Sequence, residues 1–119
     1  MKIVMYGIPN CETVKKARLW LDAQGIQYQF HDFKKAGVSQ AILGNWLQDV
    51  ALDTLLNRRG TTWRTLSDEV KATAADKESM LKLMVDSPSV IKRPVLVVND
   101  RVQAVGFSAD VYDAFFNLS

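Results

Sequence analysis

The chain opens on a short apolar run with β-branched residues, Lys2 to Tyr6, which predicts a buried strand. Gly7 to Asn10 has the composition of a turn. From Glu12 to Gln24 the spacing becomes helical. Val14, Ala17 and Leu21 fall on one face, with Lys15 and Asp22 well round from them. Gly25 stands where a C-terminal cap belongs. "IQYQFHDF", Ile26 to Phe33, alternates apolar and polar positions and predicts a half-buried strand. The opening is therefore a β-α-β unit of about thirty residues, the length a crossover helix requires.

The middle of the chain has a different rhythm. "SQAILGNWLQDV", Ser39 to Val50, predicts a helix with Ser39 as N-cap. "LDTLLN" continues in helical style, and "RRGTTWRTL" is a polar, turn-rich loop. "SDEVKATAADKESMLKLMVDSP" predicts two short helices capped by Ser67 and Asp76. No convincing strand falls between Ser39 and Ser87. The end returns to β structure. "RPVLVVND" is a strand opened by proline, Asn99-Asp100 a tight turn, and "RVQAVGF" its antiparallel partner. "SADVYDAFFNL" closes the chain as a helix capped by Ser108. The expected fold is α/β: a mixed four-stranded sheet with helices on both faces and a helical insertion over about 38–88.

A length of 119 residues suits one domain, which buries about two-thirds of the surface its unfolded chain exposes. No repeat, linker or low-complexity tract divides it. A net charge of +2 is too small to indicate direct nucleic-acid binding. The N-terminal apolar run is broken by Gly7 and Pro9 and reads as a strand rather than a signal peptide. No window reaches the roughly 18 apolar residues of a membrane span. One cysteine cannot close an intramolecular disulfide. These features together predict a cytoplasmic protein with no membrane partner.

The candidate chemistry centres on that cysteine. Cys11 stands where the turn meets the first helix, a place where free backbone N–H groups and the positive end of the helix dipole favour a thiolate. Lys15 and Arg18 follow within two turns and add positive potential, a setting that lowers a thiol pKa. The same geometry binds oxyanions. The competing reading is a buried structural cysteine. Arg93-Pro94 is the second feature. A proline opening an apolar strand either adopts a cis peptide that turns the backbone toward a ligand or is an ordinary trans edge proline, the commoner case. Arg58 and Arg59 form either a solvated surface or a planar fork for an oxyanion or a glutathione carboxylate. His31, the only histidine, is expected to be a satisfied strand residue rather than a base. No metal-ligand cluster or Gly-rich phosphate loop is present in the sequence. The tryptophans at 20, 46 and 63 read as packing residues.

Three separated segments, "YGIPNCETVKKAR", "LLNRRGTTWRTL" and "PSVIKRPVLVV", resemble in order the arsenate reductase-like (ArsC/Spx) family. Within it they are similar to the YffB-type branch of glutathione-dependent thiol reductases. The resemblance implies a thioredoxin-like fold with the helical insertion between its β-α-β and β-β-α halves. It makes Cys11 the nucleophile, Arg59 an anion-binding arginine, and Arg93 the arginine before a cis proline, Pro94. Asn10 and Lys15, beside the thiol, complete the candidate substrate- and anion-binding set. No bound cofactor is expected, and glutathione is the expected co-substrate.

Two departures narrow this. Glutathione-dependent arsenate reductases carry a further arginine where this chain has Gly106 and Phe107, in "AVGFSAD". With one anion clamp missing, arsenate becomes a poorer substrate. Spx-type regulators often carry a C-x-x-C switch, but Glu12, Thr13 and Val14 follow Cys11 here. The expected function is a thiol-dependent reductase with one nucleophilic cysteine and glutathione, or another small thiol or disulfide, as partner. The alternatives are a non-catalytic Spx-like regulator whose protein partner is RNA polymerase, and a true arsenate reductase.

Overall fold

The opening apolar run forms strand β1, Ile3–Gly7, and the sheet grows outward from it. β1 pairs in parallel with β2 (Gln29–Asp32) and antiparallel with β3 (Val95–Val98), and β3 pairs antiparallel with β4 (Arg101–Val105). The order is β2-β1-β3-β4. The computed structural model describes residues 1–73 and 76–116.

All four side chains of β3 are buried, which requires cover on both faces of the sheet. Strand alternation divides the apolar residues between them. Ile3, Met5, Leu96 and Val98 point to one side, where they meet Val14, Ala17 and Leu21 of α1 (Glu12–Ala23) and Tyr112 of α8 (Ala109–Phe116). Val95 and Val97 point to the other, against a layer supplied by the middle of the chain. That layer contains α3 (Gln40–Trp46), α4 (Leu52–Leu55) and α7 (Lys77–Asp86), which bury Leu43, Trp46, Leu55, Met80 and Met84. Each such side chain contributes about 1.5–3 kcal/mol. The mixed sheet with helices on both faces is the architecture expected of a thioredoxin-like fold.

Local chemistry places the ends of the elements. The Ser39 hydroxyl accepts from the Ile42 N–H, and the Asp76 carboxylate accepts from the Ser79 N–H. Ser67 caps α6 (Asp68–Thr73) through the Val70 N–H. Residues 74–75, where the two helices predicted from Ser67 onward would be joined, lie outside the described residues, as do positions 117–118 of the final predicted helix. Asn99 and Asp100 take positive φ of 51° and 67°, the conformation of a two-residue hairpin turn.

Three sequence expectations are revised. β2 begins at Gln29 rather than Ile26 and ends at Asp32, because the Asp32 carboxylate accepts from the Lys34 N–H and starts a helical turn, α2 (Phe33–Ala36). α3 ends at Trp46 rather than Val50. Beyond it the Asp49 carboxylate turns to β4, accepting from the Val102 N–H at 2.9 Å and from Arg101 Nε at 2.7 Å. The expected loop "RRGTTWRTL" contains a helical turn, α5 (Thr61–Thr65). Threonine is a weak helix former, so local propensity gave no signal. Trp63 packs this turn on the insertion core. Leu56 forms an isolated antiparallel bridge with Ile91. Flanking bonds from the Lys92 N–H to the Leu55 carbonyl (2.7 Å) and from the Asn57 N–H to the Val90 carbonyl (2.8 Å) tie the insertion to the approach to β3.

Two predictions follow from this packing. A Cβ on Gly7 would lie 2.9 Å from Val14 Cγ2, so Gly7→Ala overpacks the junction of β1 and α1. Urea denaturation should show a loss of about 1–3 kcal/mol, and Val14→Ala in the same chain should recover part of it. The second concerns Asp49, whose carboxyl is held below its usual range by Arg101 and by the Val102 N–H. A depressed carboxyl stabilises the fold above its unfolded pKa, and the contribution is lost as pH falls through the folded value. The stability gap between the wild type and Asp49→Asn should therefore be widest near neutrality and close as pH falls below about 4. A gap independent of pH would contradict this.

Candidate active site

The end of β1 delivers the cysteine. After Gly7 the buried Ile8 anchors the turn, and its carbonyl accepts from the Cys11 N–H at 3.1 Å. Cys11 then has extended dihedrals, φ −94° and ψ 129°, and is the N-cap of α1, its carbonyl accepting from the Lys15 N–H at 2.9 Å. Its side chain is half-buried at the seam between the two core layers and touches both. As a thiolate it supplies the negative charge that a helix start favours.

Opposing effects set its acidity. Burial pushes the Cys11 thiol up. The Val14 N–H, the hydrogen bond and charge of Arg93 and the Thr13 N–H together outweigh it, and the pKa is lowered from its ordinary value. Arg93 is itself held in place. One terminal nitrogen donates to the carbonyls of Ser89 (2.6 Å) and Ile91 (3.1 Å) in and after the 3-10 turn Pro88–Val90. Its Nε is buried and has no oxygen or nitrogen partner among the described residues, which leaves a donor for an anion. The Arg93-Pro94 peptide is cis. Pro94 is buried, and its carbonyl accepts from the Gly106 N–H at 2.8 Å.

These residues enclose a cleft of about 370 Å³. Cys11, Thr13, Arg93, Gly106, Phe107 and Ser108 are among the residues that line it. The expected residues divide between this cleft and the surface around it. Cys11 and Arg93 are brought together. Arg59 lines a neighbouring cavity of about 560 Å³ with Arg58, Asp53, Asn57 and Lys92. Arg58 is paired with Asp53 at 3.0 Å, and its guanidinium carbon lies 5.8 Å from the Trp63 ring centroid. Asn10 and Lys15 are exposed and line neither cavity, and Lys15 is paired with Glu12 at 3.5 Å.

Arg18, expected to add potential at the thiol, donates to the Tyr28 hydroxyl at 3.0 Å and lies 4.1 Å from the Phe30 ring centroid. His31 is half-buried, with Nε2 2.6 Å from the Gly37 carbonyl oxygen. Among the described residues no three His, Cys, Asp or Glu side chains form a metal-binding group, and no helix is long and apolar enough to cross a membrane.

Sequence reasoning overlooked Thr13, Asn57, Lys92 and Ser108 as lining residues. Lys92 had a signal, since it adjoins Arg93 in "IKRP". Asn57 had none, because only the bridge between Leu56 and Ile91 brings it to the cleft. The assembled group is a half-exposed thiol of lowered pKa beside a fixed guanidinium in an open cleft. It suits attack on an electrophilic sulfur or oxidised centre.

Comparisons with known proteins bear on the family and the fold. The ArsC family model matches residues 6–115. A solved structure of a protein named YffB (PA3664) superposes with a TM-score of 0.88 at 44% identity, covering 95% of this chain and 97% of that one. The solution structure of an arsenate reductase-related protein from Brucella melitensis gives a TM-score of 0.76 at 45% identity, covering 99% and 97%. The global transcriptional regulator Spx of Streptococcus mutans is 24% identical over 115 residues, 95% of this chain and 82% of the relative. By sequence and by fold, the chain belongs to the ArsC family.

Proposed function

We propose that this protein is a glutathione-dependent thiol reductase in which Cys11 is the nucleophile. The observation that carries this reading is the lowered thiol pKa at a cleft wall, beside an arginine fixed by two carbonyls. In the first step the Cys11 thiolate attacks one sulfur of a disulfide. A Cys11–S–S–R bond forms as the old S–S bond breaks, and the other half leaves as a thiolate. Glutathione thiolate then attacks the mixed disulfide on the substrate sulfur. Cys11 is released as thiolate and the substrate leaves as R–S–S–glutathione. The resolving thiol comes from outside, since the chain has one cysteine. A reducing cytoplasm supplies such a thiol.

Arg93 acts on both sides of the exchange. It stabilises the attacking thiolate and presents a buried N–H to a developing anion. Pro94 holds the backbone of this wall, with its carbonyl committed to Gly106. Arg59 serves a more distant substrate carboxylate from the adjoining cavity. Arsenate fits less well, because Gly106 and Phe107 supply no guanidinium to bind an oxyanion bidentately at the cleft.

A regulatory role without catalysis is the second reading, favoured by the similarity to Spx. In that case Cys11→Ala leaves function intact.

Alkylation of Cys11 followed against pH should rise through an apparent pKa below the ordinary value of about 8.5. Arg93→Met should move that rise to higher pH, because it removes a cation and a hydrogen bond from the thiolate. Exposure to oxidised glutathione should add one glutathione to the intact mass, and Cys11→Ser should abolish both the adduct and turnover. An ordinary thiol that takes up no glutathione would sink the reductase reading and support the regulatory one.

A further inference from the structure

The sequence lacks the family's arginine at Gly106 and Phe107, but the structure does not leave that wall of the cleft without positive charge. Gly106 has a positive φ of 84°, and a Cβ built there would stand 3.3 Å from Lys92 Cε and 3.9 Å from Nζ. The end of the Lys92 side chain therefore lies over Gly106, and glycine leaves room for it. Lys92 is held at its backbone, where the N–H donates to the Leu55 carbonyl at 2.7 Å. Its side chain is exposed, and among the described residues it forms none of the ion pairs, which involve Lys15, Arg58 and Arg101. It lines both the Cys11 cleft and the Arg59 cavity, so the residue stands where the two meet.

We propose that Lys92 is a specificity-determining cation of this site, nearer the thiol than Arg59: it binds a carboxylate of a peptide thiol, such as glutathione, while that thiol's sulfur is at Cys11. The inference rests on the reductase reading above and deepens it by naming the group that selects the substrate. The chemistry of the ligand fits the placement. The carboxylates of glutathione stand several bonds from its sulfur, so they are met at the cleft's edge rather than beside the thiolate. Arg93 cannot reach out to them, because its guanidinium is tied to the Ser89 and Ile91 carbonyls at the cleft wall. Arg58 is already paired with Asp53. Lys92 is an uncommitted cation on a flexible stem at the junction, suited to a carboxylate whose position varies with the substrate.

The test compares two disulfides on one thiol. Rate constants for mixed-disulfide formation at Cys11 are measured by intact mass with oxidised glutathione, which carries carboxylates, and with bis(2-hydroxyethyl) disulfide, which carries none. A change in the reactivity of the thiolate enters both rates and cancels in their ratio. The ratio should fall about tenfold in Lys92→Gln, the order expected for one charge-assisted hydrogen bond. It should recover in Lys92→Arg, which restores the cation. Raising ionic strength should lower the ratio in the wild type and change it less in Lys92→Gln. If the wild type reacts with both disulfides and Lys92→Gln leaves the ratio unchanged, this inference alone is overturned. If the wild type forms no adduct with either disulfide, the reductase reading falls and this one falls with it.

Discussion

Strand register is the constraint from which the site follows. Tyr6 of β1 faces Val95 of β3, and Val95 faces Val105 of β4. Whatever follows Tyr6, precedes Val95 and follows Val105 must therefore meet at one end of the sheet. Those segments carry Cys11, Lys92 with Arg93, and Gly106 to Ser108. A slip of one residue would turn the side chains of β3 to the opposite faces. Because all four are buried between different partners, the register is strongly fixed.

Within that frame the acidity of Cys11 is a contest that burial loses. Half-burial at the seam of the two cores opposes ionisation, while two amide N–H groups at the start of α1 and the guanidinium of Arg93 favour it. None of these donors moves freely. The amides belong to a helix seated on the sheet through Val14, Ala17 and Leu21, and the arginine is held by backbone carbonyls. Fixed donors need little reorganisation when charge appears on sulfur, which is how an enzyme makes electrostatics effective.

The helical insertion covers the second face of β3, and it also lines the cavities at the sheet end. Its bridge from Leu56 to Ile91 holds Asn57 and Lys92 between the Cys11 cleft and the cavity of Arg59. Cys11 lies at the sheet end, Arg59 on the insertion and Lys92 just beyond it. A change at Arg59 or Lys92 therefore leaves the packing around Cys11 untouched.

The sequence by itself determined the order of the four strands and the longer helices, the strand–turn–cysteine–helix junction, the hairpin at Asn99-Asp100 and the caps at Ser39, Ser67 and Asp76. These depend on neighbours a few residues apart, on periodicity, side-chain caps and turn chemistry, all written locally. The motifs likewise carried the family and singled out Cys11 and Arg93. Only the tertiary structure decided which cations share the thiol's cleft. Lys15 and Arg18 are near Cys11 in sequence, yet one is paired with Glu12 and the other lies against Tyr28 and Phe30. Lys92 is 81 positions away from Cys11 and lines its cleft. The helical turn at Thr61–Thr65 was illegible for a related reason, since Trp63 packing on the insertion core, and not threonine's weak propensity, sets it. Charge proximity is a property of strand pairing and helix rotation, and strand pairing joins residues whose separation along the chain carries no information about their distance in space.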